Sequence, residues 1–445
     1  MNLKDLGFMQ INHDRFQKTN TPYKIYAELL DETSQEQFYD VLCQPYVTYG
    51  ALMPDAHAGY SMPIGGVCST KDIVVPQFVG FDIGCGMCAY KTDYTKEQIE
   101  KNANIIYNQI REQIPLGFST HQNNQEFKSD LPLSDFAKES LESVGLKQLG
   151  TLGGGNHFIE IDYDSNNIAW IVIHSGSRGF GHKIASHYML KAYLEQNPIE
   201  SRVDELVTEY EKRNANFKKH NPEGFKKAME NFRLKQIEQI SKKTKVDNIQ
   251  GIWGLDTQSK LGQEYIQDQN FALNFALENR KRMIAKVHEI MNSVIGGNFE
   301  FKSQDEQRFI NKNHNHVEYD PNRKEWIHRK GATHADRGVM GVIPANMRDG
   351  TFIVRGKGCS DSLNSSSHGA GRVMSRKRVR DTISIEAFEE SMRGIVGTVD
   401  KNTLDESPFA YKDIFEVMEL QSELVDVVEH LKVIINIKDN TEGVY

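Results

Sequence analysis

Residues 168–174 read IAWIVIH, six apolar residues in a row closed by a histidine. A run this short and this apolar predicts a buried strand, with His174 at its C-terminal end, where functional groups commonly project into loops. The next residues extend it to IHSGSRGFGH (173–182), which adds Arg178 among glycines. Four more segments of the same character lie far from it in sequence. They are FDIGCGM (81–87, with Asp82 and Cys85), LGGGNHFIE (152–160, with Asn156 and His157), NHNHVE (313–318, with His314) and SSSHGAGR (365–372, with His368). Each sets a carboxylate, thiol or imidazole among residues that let the backbone turn sharply or approach a ligand closely. Such scattered groups meet only if the fold gathers them. We read them as one composite metal site with a nucleophilic histidine, His368, beside it.

Around these motifs the pattern is mixed. Residues 23–90 alternate β-rich runs (YKIYAEL, VTYGALMP, GGVCST, DIVVPQFVGF) with Gly/Pro punctuation, which predicts strands and tight turns. Residues 95–113 have helical spacing, and a polar loop follows to about 131. From 182 to 295 helix formers and paired charges dominate, with Phe271, Ala272, Phe275 and Ala276 spaced as a core-packing stripe. β-rich runs return after 298 (FEFKSQ, HNHVEYD, KEWIHRKG, TFIVRG). Ligand motifs lie on both sides of the helical block. The expectation is an α+β fold, one catalytic domain over 1–445 with β-sheets around a metal cleft and a helical insertion at 182–295.

The 445 residues suffice for a large core; 38% are hydrophobic and 26% charged, as in soluble globular proteins. No stretch approaches the ~20 apolar residues that span a bilayer. The N-terminal residues lack the apolar core of a secretory signal, and five cysteines are too few for a disulfide framework. A cytoplasmic setting is expected. The net charge of −8 argues against broad binding to nucleic acid, but Arg372, Arg376, Lys377, Arg378 and Arg380 crowd into nine residues after His368. That run is read as phosphate-binding.

Asp82 and Cys85 stand three residues apart on one tight loop, so both could reach one cation, and a thiolate can bridge two. Cys88 completes a C-x-x-C with Cys85, but no second such pair exists to make a zinc knuckle. His314 and His316 flank Asn315 and are expected to point different ways, so that one of them ligates. The ligands outnumber those of one tetrahedral ion, which suggests two ions. By affinity alone, thiolate and imidazole favour zinc or cobalt over manganese. In SSSHGAGR the glycine amides could cradle phosphate oxygens, and the imidazole of His368 could attack phosphorus.

FDIGCGM, GGGNHFIE, HSGSRG, the His314–Asn315 pair, RKGAT, SSSHGAGR and TVDKNTLDESPFAYKDI together resemble the RtcB-type RNA ligases. The likeness runs from ALMPDAHAGYSMPIGGV (51–67) almost to the C-terminus. It implies a GTP- and manganese-dependent enzyme that joins RNA 2′,3′-cyclic phosphate or 3′-phosphate ends to 5′-hydroxyl ends. His368 would become guanylylated, with Arg178 and Asp55 assisting. Two Mn2+ ions would be held by Asp82, Cys85, His157, His174 and His314. Asn156, Glu160, Gly369, Ala370, Gly371, Arg372 and Lys438 would contact the nucleotide, with Phe158 and Tyr411 about the guanine. Arg376 would hold phosphate or RNA, and an archease-like activator is an implied partner. The chain departs from the family pattern at Asn346 and Thr351, where nucleotide contacts are expected, at Asp439 after Lys438, and at His316. These departures suggest a divergent bacterial-type branch. The alternative reading is a dinuclear metal phosphoesterase acting on RNA ends without ligation; a third is an RNA-binding protein with a structural metal.

Overall fold

A computed structural model describes residues 3–249 and 251–441. The expected unit of 1–445 thus includes residues 1–2, 250 and 442–445, which lie outside the described residues. The fold is a mixture of helices and largely antiparallel sheets. The IAWIVIH run is the heart of the larger sheet, as the strand Ile168–Ser175. It pairs with Gly86–Thr95 on one side and Phe158–Tyr163 on the other. The sheet continues through Val425–Ile437 and Thr351–Gly356 to Met340–Pro344, and on its other flank ends at Phe309–Asn313. It curls enough for Met340–Pro344 to approach Phe309–Asn313 and Gly86–Thr95.

Both faces of this sheet are covered, which explains an apolar run without alternation. Ala169, Ile171 and Ile173 pack against Ile99, Ile106 and Ile110 of one helix and Met283, Ile284 and Val287 of another. Trp170 and Val172 face inside the curl, with Met87, Phe158, Ile353 and Leu431. Side chains two apart share a face of a strand, so His174 emerges on the inner side with Trp170 and Val172.

The second sheet runs Asn315–Asp320, Glu325–Lys330, Met62–Thr70, Val47–Tyr60 and Tyr23–Ile25. The chain passes between the two sheets at one residue, His314, since Phe309–Asn313 belongs to the first and Asn315–Asp320 to the second.

The spacing over 95–113 forms the helix Lys96–Gln113, opened by a capping box of Thr95 and Gln98. Two β-rich runs form less strand than expected. In DIVVPQFVGF only Ile73–Val74 is strand, because Pro76 starts a helical turn, Pro76–Val79. FEFKSQ (299–304) is a connection whose Phe301 packs edge-on against Tyr90, with ring centroids 4.9 Å apart.

The stretch 182–295 holds two kinds of helix. Arg178–Gln196 and the 36-residue Lys260–Ile295 build the core, burying Phe180, Phe271, Ala272 and Phe275 together, with Ala276 also buried. Ile199–Arg213 and Pro222–Lys243 pack chiefly on each other, with Tyr210 stacked on Phe232. Among the described residues, no helix is long and apolar enough to cross a membrane.

This division predicts unequal costs of truncation. Phe275→Ala should lower the unfolding free energy by about 3–5 kcal/mol through lost contact and an internal cavity. Leu234, 61% exposed, should tolerate alanine within about 0.5 kcal/mol. Urea denaturation of the two variants checks the contrast.

Candidate functional site

The fold brings together the five residues expected as metal ligands. The Cys85 Sγ lies 3.4 Å from His157 Nε2 and 3.2 Å from His174 Nε2. His174 Nε2 is 3.3 Å from His314 Nε2, and His157 Nε2 is 3.1 Å from an Asp82 oxygen. Two triads result, Cys85–His174–His314 and Asp82–Cys85–His157, with the sulfur common to both.

Local structure fixes each group. His157 Nδ1 lies 3.0 Å from the Leu152 carbonyl, which turns Nε2 towards the cluster. The Asp82–Cys85 loop is fastened to the crossing point between the sheets: His314 N donates to Cys85 O (2.7 Å) and Gly84 N to Asn315 O (2.8 Å). Gly176 follows the His174 strand, and a Cβ there would stand 2.3 Å from an Asp82 carboxylate oxygen. Only glycine leaves room for that carboxylate.

His314 and His316 do point to different places. Residues two apart on one continuous strand would share a face, but His314 precedes the strand that carries His316. His314 joins the cluster, and His316 instead meets His334 at 3.1 Å. Cys88 is buried among the helix-packed residues of the sheet, so it forms no pair with Cys85.

The electrostatics suit a cation. Burial works to raise the Asp82 carboxyl, but the hydrogen bond and charge of His157, with Arg178, outweigh it and hold the group at about 2. Burial and the neighbouring Asp82 push the Cys85 thiol well up. Burial and neighbouring positive groups hold His174 and His314 well below the usual range, as neutral imidazoles. A carboxylate, two triads sharing a thiol, and imidazole lone pairs converging in a buried site fit a pair of divalent ions, whose charge would draw the proton from Cys85.

His368 stands beside this cluster, its ring centroid 4.7 Å from that of His314. Its Nδ1 is 2.7 Å from an Asp55 oxygen, which also accepts from the His368 backbone N–H at 3.2 Å. With Nδ1 engaged by a carboxylate, Nε2 carries the available lone pair. Asp55 is itself held by its flanks: Lys412 Nζ donates to the carbonyls of Pro54 (2.9 Å) and Ala56 (2.8 Å).

His368 and His174 open on a cavity of about 390 Å3. Of the residues expected to hold a nucleotide, Asn156, Phe158, Glu160, Asn346, Gly369, Ala370, Gly371, Arg372, Arg376, Tyr411 and Lys438 line it. Thr351 does not; it is buried behind the cavity and its hydroxyl donates to Glu160 at 3.4 Å. Glu160 also accepts from Asn436 at 2.6 Å, and burial raises its carboxyl to about 7 against the pull of Asn436, Lys438 and Thr351.

Arg178 lies outside that lining, within 3.5 Å of His157 Nδ1, and donates to the Gly117 carbonyl. It holds a φ of +60°, uncommon for a non-glycine residue and concentrated at functional positions.

Several residues here were not anticipated. Glu406 binds Lys438 (3.3 Å), Arg372 (3.1 Å) and Arg376 (2.6 Å), while Asp405 binds Arg376 and Arg380. The basic run thus has internal acidic partners, and its signal was the adjacent Asp405–Glu406 pair five residues ahead of Tyr411. Burial works to raise Glu406, but Lys438, Arg376 and Arg372 keep it ionised, far below the usual carboxylate range.

The family described as tRNA-splicing ligase RtcB matches residues 37–141 and 132–439. The RNA-splicing ligase RtcB of Escherichia coli K12 is 30% identical over 451 aligned positions, covering 96% of this chain and 100% of that protein. The tRNA-splicing ligase RtcB of Nanoarchaeum equitans is 27% identical, covering 92% of each chain. That of Thermococcus kodakarensis is 24% identical, over 91% of this chain and 92% of its own.

The shared sulfur would make Cys85 the critical ligand of a metal pair held at this cluster. Cys85→Ala should remove one or both of the two ions that the cluster would retain through gel filtration. Cys88→Ala should retain both. Metal analysis by mass spectrometry reads the difference.

Proposed function

This chain belongs to the RtcB family, and we propose that it is an RNA ligase joining 2′,3′-cyclic phosphate or 3′-phosphate ends to 5′-hydroxyl ends at the expense of GTP. The observation that carries the reading is the Asp55–His368 pair, whose imidazole lines a cavity of about 390 Å3 next to the shared-thiol cluster. A hydrolase would need the cluster but would leave that pair, and the acid–base lattice around Glu406, without a task.

The residues suggest the following division of labour. Asp55 holds the proton on His368 Nδ1, so Nε2 attacks the α-phosphorus of GTP. The Nε2–P bond forms as the bond to pyrophosphate breaks, and Asp55 offsets the positive charge that develops on the ring. A cyclic end is first opened by water to a 3′-phosphate. An oxygen of the RNA 3′-phosphate then displaces His368 and takes the GMP. The 5′-hydroxyl attacks the activated 3′-phosphorus, GMP leaves, and a 3′,5′-phosphodiester remains. Asp82, Cys85, His157, His174 and His314 would hold two Mn2+ ions, whose charge stabilises attacking and leaving oxygens. Arg372, Arg376 and Lys438 balance phosphate charge where it accumulates. Phe158 and Tyr411 line the cavity as faces for the base, and Glu160 accepts from the guanine N1–H and 2-amino group.

Two measurements test this. With Mn2+ and α-labelled GTP, the protein should acquire acid-labile label and release pyrophosphate, and His368→Ala should acquire none. Unlabelled wild-type protein that still opens cyclic ends would make it a phosphoesterase. The second is pH. The Glu160 carboxyl sits at about 7, so it is protonated, and loses its acceptor role, as pH falls below that value. In a His368→Ala background, GTP should bind roughly tenfold more weakly at pH 6 than at pH 8. Glu160→Gln should flatten that dependence.

A further inference from the structure

The residue that departs from the family pattern, His316, heads a second cluster away from the His368 pocket. His316 on the strand Asn315–Asp320 and His334 on the strand Ala332–His334 face each other, Nε2 to Nε2, at 3.1 Å. Glu318 brings its Oε2 to 3.3 Å from His334 Nε2 and 4.0 Å from His316 Nε2. We propose that His316, Glu318 and His334 form a separate divalent-metal site of the zinc class, filled independently of the shared-thiol centre.

Geometry is the first argument. Ligands at the bond lengths of zinc, about 2.0–2.1 Å, stand ~3.3 Å apart along a tetrahedron's edge. Two of the three separations already lie within 0.2 Å of that edge. The third closes by a small rotation of the Glu318 carboxylate about its contact with Arg329, at a side chain that is 39% exposed. Two imidazoles and a carboxylate leave a fourth position for water.

The surroundings complete it. His334 Nδ1 is 3.1 Å from Asp336 Oδ2, so Nδ1 carries the proton and Nε2 presents its lone pair. Arg329, clamped by Ser365 (2.8 Å) and the Leu363 carbonyl (3.1 Å), binds the other Glu318 oxygen and leaves Oε2 to the ion. Its Nη1 also lies 3.3 Å and 3.5 Å from the two Nε2 atoms. That guanidinium lowers the affinity for a second cation, so the shared-thiol centre fills first. Even so, Glu318 and Asp336 outnumber it, two carboxylates against one cation. A surface cavity of about 430 Å3, lined by Glu318, Arg329, His334 and Asp336, provides the route in.

Cobalt separates the two sites. At the first, the Cys85 thiolate gives an intense near-ultraviolet charge-transfer band. At the second, nitrogen and oxygen ligands give only weak visible bands. In Cys85→Ala protein titrated with Co2+, we expect visible bands without charge transfer, which fall by one cobalt equivalent on adding His334→Ala or Glu318→Gln. In the otherwise wild-type chain saturated with Zn2+ and gel-filtered, each of those two substitutions should remove one equivalent of zinc and leave the charge-transfer band of the cobalt form unchanged. Circular dichroism confirms the fold, and Glu318→Gln, at a half-exposed position, decides should His334→Ala unfold. Equal zinc content in wild type and folded Glu318→Gln would overturn the proposal and make the cluster a hydrogen-bonded brace.

Discussion

The site depends on one buried guanidinium. Arg280, fully buried in the middle of the helix Lys260–Ile295, donates to the carbonyls of Gly84 (2.9 Å) and Ser175 (2.8 Å). It also donates to the side chains of Asn311 (2.7 Å) and Asn313 (2.6 Å). Three of those partners, Gly84, Ser175 and Asn313, adjoin Cys85, His174 and His314 in the chain. Its neighbour Asn279 does the same for the remaining loop, binding Gly150, Thr151, the Ser175 hydroxyl and Gly176. A charge removed from water costs several kcal/mol unless its hydrogen bonds are made, so the helix and the ligand loops hold each other in register. This is also why the helical stretch cannot be treated as uniform: its last helix carries Arg280 and Asn279, which hold the candidate ligand loops, while its outer pair packs chiefly on itself.

That dependence marks what the sequence could and could not disclose. The strand at 168–174 was legible because burial on both faces removes the polar alternation of an ordinary strand. The motifs that converge on the cluster were legible because a glycine beside a packed functional side chain is a local requirement, seen at Gly176 and Asp82. Arg280 was not, since ENRKRM reads as a solvated helical face and only tertiary partners make it otherwise. The same blindness applied to the basic run, where Arg372 and Arg376 look unpaired until Asp405 and Glu406 fold back on them. Thr351, expected to contact a nucleotide, lies behind the cavity and donates to Glu160 instead. His316 stood out as unusual, but its partners His334 and Glu318 lie on other parts of the same sheet and carry no local signature.

The acids of the pocket limit its charge. Arg372, Arg376 and Lys438 together would present three cations to a cavity a nucleotide could fill, and unpaired they would repel one another and disorder. Glu406 binds all three, so each cation has a fixed acidic partner within the cavity wall. Charges held in place in this way lose little orientational freedom on binding.

The last element is the bulge that presents Asp55. Between Leu52 and His57 the pairing of Val47–Tyr60 with Met62–Thr70 shifts register. A regular strand would turn the Pro54 and Ala56 carbonyls to its neighbour. Here both accept from Lys412, whose own backbone N–H donates to Gly371 O in the loop after His368. Burial lowers the Lys412 ammonium to about 8, opposed chiefly by Asp55. One lysine thus completes the hydrogen bonding of a bulge that a sheet could not satisfy, and that bulge puts a carboxylate under the imidazole. The irregularity in the strand is what sets Asp55 against His368 Nδ1.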